Sequence, residues 1–329
     1  MPHPKTSLFT EQISRKPDHY PWTEKFMRVM WEGLWTDREF SFATDVQDYK
    51  VNMTAEEQKV VANALSAISQ IEIAVKTFWA KLGDNLPHPS IRDMGYVMAN
   101  VEVIHNSAYE RLIEELDLEH IFQDNLKLPC VEGRVKYLRK YTHRYYTDSK
   151  QQFVYALILF TLFVENVSLF SQFYIINSFG RRGLLKATNQ QTKYTAKEED
   201  IHGKIGIKLV NTLREEHPEL FDQGLEDKIL HEAHEAYTAE ASIIDWMLGE
   251  YSHDDLDANI AKQFIKDRIN TSLVEIGYSA IFETDQDALD KTEWFNEMLE
   301  ANNMTDFFDT RPVEYAKGGQ SFEDDGDLF

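Results

Sequence analysis

Two segments of this chain read Glu-x-x-His: Glu102-Val-Ile-His105 and Glu199-Asp-Ile-His202, each inside a long helical pattern. Residues three apart on an α-helix share a face. Each segment therefore aims one carboxylate and one imidazole at the same point. A single copy is common and usually lies on a solvated face. Two copies on separate helices are different. Joined by one acid from each of two more helices, they make the ligand set of a dinuclear metal site inside a bundle.

The remaining acids are found by following the apolar stripes. One helix is predicted from Thr54-Ala-Glu-Glu57, which has capping-box spacing, to about Leu82, with Gly83 as its stop. Its stripe runs Val61, Leu65, Ile68, position 72, Val75 and Trp79, and position 72 is Glu. A charge on a core stripe is costly unless it is paired or bound to metal. Lys76 follows one turn later. The next helix, from about Ser90 to Leu116, turns Met94, Met98, Val101, Ala108 and Leu112 inward, with Glu102, His105 and Tyr109 along the same side. A third, over 149–179, carries Glu165 and is broken by Gly180-Arg-Arg-Gly183. A fourth, over 185–213, aligns Glu199, His202, Gly206, Leu209 and Leu213. Further helices are predicted near 225–249, 254–283 and 288–302.

There is no strand alternation and no solenoid period, so the predicted fold is all-α, a ferritin-like helical bundle with a dinuclear metal site in its core. Residues 1–19 read as an N-terminal extension and 20–302 as the bundle. Residues 303–329 read as a flexible tail, rich in acids and glycine, whose Phe322 and Leu328-Phe329 suit docking on a partner.

The six proposed metal ligands are Glu72, Glu102, His105, Glu165, Glu199 and His202. Four carboxylates bring about −4 and two divalent cations about +4, so the buried site is close to neutral when the imidazoles are neutral. Oxygen-rich ligands with two imidazoles and no thiolate suit manganese or iron. The chain has one cysteine, Cys130, which rules out an internal disulfide framework. It follows a Pro in a predicted loop and is read as structural.

A net charge of −22 argues against nucleic-acid binding and against anionic lipid. The N-terminus has no apolar signal region, which points to the cytoplasm. Residues 153–176 are apolar enough to resemble a membrane span, but Glu165-Asn166 interrupts them, with Ser168, Ser171 and Gln172 following. A helix buried on all sides fits better, and no membrane partner is expected. His231-Glu-Ala-His234-Glu235 lacks the zinc-protease spacing and reads as a solvated face. Arg181-Arg182 reads as surface charge at a helix end.

At these residues the chain resembles the radical-generating small subunit of class I ribonucleotide reductase, over roughly 20–300 plus the tail. In that family a tyrosine follows the first Glu-x-x-His by four residues, as Tyr109 follows His105, and an acid precedes the second, as Glu198 precedes Glu199. Leu34-Trp35-Thr-Asp-Arg-Glu looks like the segment bearing a radical-route tryptophan. Tyr315 is the candidate tail tyrosine that passes the radical on. The resemblance implies a homodimer whose tail docks on the large catalytic subunit. There a cysteine becomes a thiyl radical and starts reduction of ribonucleotides. The nucleotide binds the partner, in keeping with the lack of a Gly-rich phosphate loop here.

Where the family usually has Asp as first ligand and before the second Glu-x-x-His, this chain has Glu72 and Glu198. Together with Lys76, this resembles the class Id subgroup. That likeness implies a dimanganese cluster, with di-iron or mixed manganese–iron as alternatives, and no stored radical on Tyr109. Lys76 would then attract a small anionic oxidant and hydrogen-bond to a terminal ligand. The competing readings are a stand-alone ferritin-like dimetal oxidase or oxygenase, which needs no tail, and an iron-storage shell.

Overall fold

The computed structural model describes residues 6–144 and 149–300, without the side chains of 72–75 and 137–144. The helices are α1 (Trp22–Glu32), α2 (Ala43–Gln47), α3 (Ala55–Ala80), α4 (Leu82–Asn85), α5 (Pro89–Glu115), α6 (Glu119–Asn125) and α7 (Pro129–Arg144). They continue with α8 (Lys150–Leu159), a π-helical segment (Phe160–Ser168), α9 (Phe170–Arg181), α10 (Lys186–Glu216) and α11 (Gln223–Leu248). Last come α12 (Ala258–Glu275), α13 (Gln286–Asp290) and α14 (Glu293–Glu300). No strand occurs among the described residues, as the missing alternation predicted.

The long helices start where local chemistry dictates. Thr54 Oγ1 accepts from the Glu57 amide at 3.2 Å and Glu57 Oε2 accepts from the Thr54 amide at 2.9 Å, closing the predicted capping box of α3. Pro89 opens α5, where a missing N–H costs nothing. The start of α10 is capped from a distance. Asp45 accepts from the Ala187 and Thr188 amides at 3.2 and 2.6 Å, and Asp48 from Leu185 at 3.0 Å. Two buried carboxylates at a helix N-terminus also face the positive end of its dipole.

Five of these elements enclose the core. α3 packs along α5, and α10 packs against the π segment and α9. The stretch Lys150–Arg181 is long and apolar enough to cross a membrane, but its most apolar window is wholly buried in the protein. It is the bundle's central helix.

Several sequence expectations need correction. The helix predicted over 149–179 is interrupted at Phe160–Ser168 by π pairing. The helix predicted to 283 stops at Glu275. There Gly277, at φ +85°, allows Tyr278 N–H to donate to Leu273 C=O at 2.9 Å, the 6→1 bond of a Schellman stop. Residues 286–300 form two short helices. Cys130 lies in the first turn of α7, with Pro129 a helix start, and partial burial raises its thiol pKa. The Arg181-Arg182 pair is more than surface charge. Arg181 pairs with Asp255 and covers Trp294, while Arg182 pairs with the capping Glu57. His231, His234 and Glu235 are exposed as expected, but Glu232 between them is buried and accepts from Tyr155 at 2.8 Å.

α10 comes close to the π segment because two of its residues are glycines. A Cβ on Gly203 would strike Asn166, and one on Gly206 would strike Thr161. Gly133 on α7 has open space around the same position. Gly206→Ala is therefore expected to lower unfolding stability by roughly 1–3 kcal/mol through overpacking. Gly133→Ala should raise it by up to about 1 kcal/mol through helix propensity. Denaturant titration of both variants checks the contrast.

Candidate metal centre

The two Glu-x-x-His turns face each other across the core. Glu102 and His105 project from α5, and Glu199 and His202 from α10, all fully buried. His105 Nδ1 lies 3.3 Å from Glu102 Oε2 and 2.9 Å from Glu199 Oε1. His202 Nδ1 lies 2.7 Å from Glu102 Oε1 and 3.3 Å from Glu199 Oε2. Each of these two carboxylates thus offers one oxygen to each imidazole. That is the disposition of bridging ligands between two positions, one marked by each histidine.

Glu165 enters from the π segment, with Oε2 3.9 Å from His202 Nδ1. One ligand atom each from Glu102, Glu165, Glu199 and His202 falls within 4.8 Å of the others. Glu72 stands on α3, and its side chain is outside the described residues, as is Tyr315.

These atoms fit a divalent metal pair better than they fit one another. Both Glu102 oxygens, Glu165 Oε2 and Glu199 Oε1 are buried and make no hydrogen bond of acceptable geometry, although imidazole nitrogens stand beside them. Their lone pairs converge on common points. Dry carboxylates left this way are costly unless a cation completes them. Hard oxygens with two imidazoles are the donor set of manganese or iron.

Without such a cation, protons do part of the work. Burial opposes charge on His105, but the carboxylates of Glu102, Glu198 and Glu199 around it raise its pKa well above the usual value. Burial likewise opposes charge on His202, while the nearby carboxylates of Glu102 and Glu199 push it up to about 9. Burial, then the charges of Glu199 and Glu102, raises Glu165 well above the carboxylate range. Glu199 is held below that range, against burial, by His105 and His202.

The surrounding shell is ordered. Glu198 Oε2 lies 2.7 Å from His105 Nε2 and accepts from Trp35 Nε1 at 2.8 Å. This holds the Nε2 proton and leaves Nδ1 to ligate. Trp35 is buried, its ring stacked 6.1 Å from that of His105. Tyr109 is fully buried on α5, one turn beyond His105. Lys76 Nζ donates to Asn106 Oδ1 at 2.8 Å, and Asn106 in turn donates to Glu110. Asn106 stands beside His105, while the Glu72 side chain, one turn before Lys76, lies outside the described residues, so the bond expected from Lys76 to a terminal ligand falls outside them too.

Sequence reasoning missed Trp79. Its Nε1 donates to Glu165 Oε1 at 2.7 Å, which fixes the carboxylate. It read as one more apolar stripe residue. The available signal was that a buried indole N–H needs an acceptor.

The fold and this converging set define a class: a ferritin-like bundle with a buried Glu/His site fitted for a dinuclear metal centre. The sequence matches the family described as ribonucleotide reductase, small chain, over residues 12–289, and the chain belongs to that family. It is 24% identical over 332 residues to a probable ribonucleoside-diphosphate reductase small subunit of Invertebrate iridescent virus 3, spanning 96% of this chain and 87% of that one. It is 20% identical over 313 residues to a ribonucleoside-diphosphate reductase subunit beta of Treponema pallidum, spanning 93% and 88%.

Among solved structures it resembles a putative class I ribonucleotide reductase from Bacillus halodurans, with a TM-score of 0.76 at 15% identity, covering 84% of this chain and 99% of that one. It also resembles the dimanganese(II)-NrdF of Streptococcus sanguinis, with a TM-score of 0.70 at 14% identity, covering 89% and 99%.

Ligation needs bare imidazole Nδ1 atoms, and the surrounding carboxylates raise the pKa of both histidines. Manganese(II) uptake at pH 7.5 is therefore expected to release about two protons or more per chain. Apparent affinity should rise with pH towards about 9, where His202 loses its proton unaided. Calorimetry in buffers of different ionisation enthalpy counts the protons; uptake without release would contradict this proton-bearing state.

Proposed function

We infer that this chain is the radical-generating small subunit of a class I ribonucleotide reductase, active with the large catalytic subunit. One observation carries the reading beyond family membership. Trp35, Glu198 and His105 form a hydrogen-bonded line from a buried indole to the proposed ligands. Electron transfer between a buried indole and the site is what a radical-generating subunit requires.

Glu72, Glu102, His105, Glu165, Glu199 and His202 would hold two metal ions, which when bound supply a one-electron oxidant. The chain's own residues set the route. Trp35 is buried, close to His105 and electron-rich. Its Nε1 proton is already directed at Glu198 Oε2. Loss of an electron from the indole makes that proton acidic, and Glu198 is placed to take it. Tyr315, in the tail over 303–329, carries the hole on to the large subunit, where a cysteine starts reduction of the ribonucleotide. Residues 1–19 are an extension, 20–302 the bundle, and the functional unit is a homodimer in the cytoplasm.

The finer assignment we favour is the class Id subgroup with a dimanganese cluster. It is supported by Glu72 and Glu198 where Asp is usual, and by Lys76. Held by Asn106 beside His105, Lys76 puts a positive charge near the site and can draw in a small anionic oxidant. Tyr109 then needs no radical.

Paired variants test this reading with the large subunit present. Trp35→Phe should drop turnover to background with metal content unchanged. Tyr109→Phe should keep turnover in manganese-loaded protein, which should show a manganese resonance and no tyrosyl signal. Full activity of Trp35→Phe would remove that residue from the route. Iron-only activity with a tyrosyl signal would overturn the subgroup assignment.

A further inference from the structure

We propose that Arg134 and Arg268 are positioning residues for Glu165: their guanidiniums grip carbonyls of the π segment and fix the register that brings this carboxylate to the metal site. The inference rests on the metal-centre reading.

π pairing is rare and is favoured only where its surroundings support it. Here three carbonyls flanking Glu165 take side-chain donors. Ser168 Oγ donates to Phe163 C=O at 2.7 Å, Arg268 Nε to Asn166 C=O at 2.6 Å, and Arg134 Nη2 to Ser168 C=O. The arginines reach in from two other helices, α12 and α7. Arg268 is seated over the Phe170 ring, 3.4 Å from its centroid.

Arg134 is 1% exposed, and a buried guanidinium must satisfy its donors. It does so on four elements. Beyond Ser168 it donates to Glu240 Oε1 on α11 at 3.0 Å, to Ala67 C=O on α3 at 3.1 Å and to Gln172 Oε1 on α9 at 3.3 Å. Ala67 lies five residues before Glu72 on the same helix. Arg134 therefore ties together the backbones of the two elements that each give a single carboxylate.

Gly203 and Gly206 on α10 admit Asn166 and Thr161, so the segment is also packed closely by α10. A change of register by one residue turns a helical side chain by about 100°. Relaxation of this segment to α pairing would swing Glu165 away from Glu102, Glu199 and His202.

Lysine variants keep the charges and so favour folding. An ammonium opposite Glu240 cannot also bridge Ala67 and Ser168. Arg134→Lys and Arg268→Lys are compared with the full-length wild type and with Tyr155→Phe. That control loses a buried hydrogen bond to Glu232 between α8 and α11, away from the ligands. Two readouts are taken. In metal-free protein, amide hydrogen exchange over 160–168 should quicken about tenfold in the lysine variants, while α5 and α10 keep their protection. Manganese(II) affinity, followed by resonance of the free ion, should weaken about tenfold. Tyr155→Phe should lower the melting temperature with neither effect.

Unchanged exchange over 160–168, unchanged manganese affinity, or equal weakening in the Tyr155→Phe control would each overturn the proposal. If wild-type protein takes up no manganese, the metal-centre reading fails and the exchange result alone decides whether the arginines hold the π register.

Discussion

Glu102, Glu165 and Glu199 meet in a dry core with His105 and His202 between them, and the other parts of the structure follow from that concentration of charge. Burying even one carboxylate without a partner is costly. Several together are tolerable only if cations or protons compensate. The raised histidine and Glu165 pKa values are the proton solution, and the bridging geometry of Glu102 and Glu199 is the metal solution. The same atoms serve both, so proton release and metal uptake are one equilibrium.

Holding such a cluster in place requires rigid neighbours. Trp79 fixes one Glu165 oxygen, Glu198 fixes the tautomer of His105, and the glycines of α10 let the π segment come close. Asp45 and Asp48 cap α10 so that its Glu-x-x-His turn starts from a defined end. The Trp35–Glu198–His105 line then supports His105, and under the proposed function the same line is the radical route. One set of hydrogen bonds positions His105 and connects it to the indole.

What could be read in the sequence was what depends on local spacing. The Glu-x-x-His pairs, the capping box at Thr54 and the charged positions on apolar stripes all follow from helical period. What could not be read depends on residues far apart in the chain. The π register at Glu165 is supported by Arg134 and Arg268, which are 31 and 103 positions away from it in the numbering. Trp35 and Glu198 are separated by 163 residues; family resemblance singled out each, and nothing in the sequence joined them. Trp79 looked apolar because a stripe records burial and not the direction of an N–H. The stop at Gly277 was missed because the apolar pattern continues past it.

The central claim is that the buried carboxylates and imidazoles form one dinuclear centre. Anomalous diffraction at the manganese edge, from crystals loaded with manganese(II), tests it directly. Two peaks about 3.5–4 Å apart are expected, one against His105 Nδ1 and one against His202 Nδ1, with Glu102 and Glu199 reaching both. A single peak, or peaks away from these histidines, would contradict the claim.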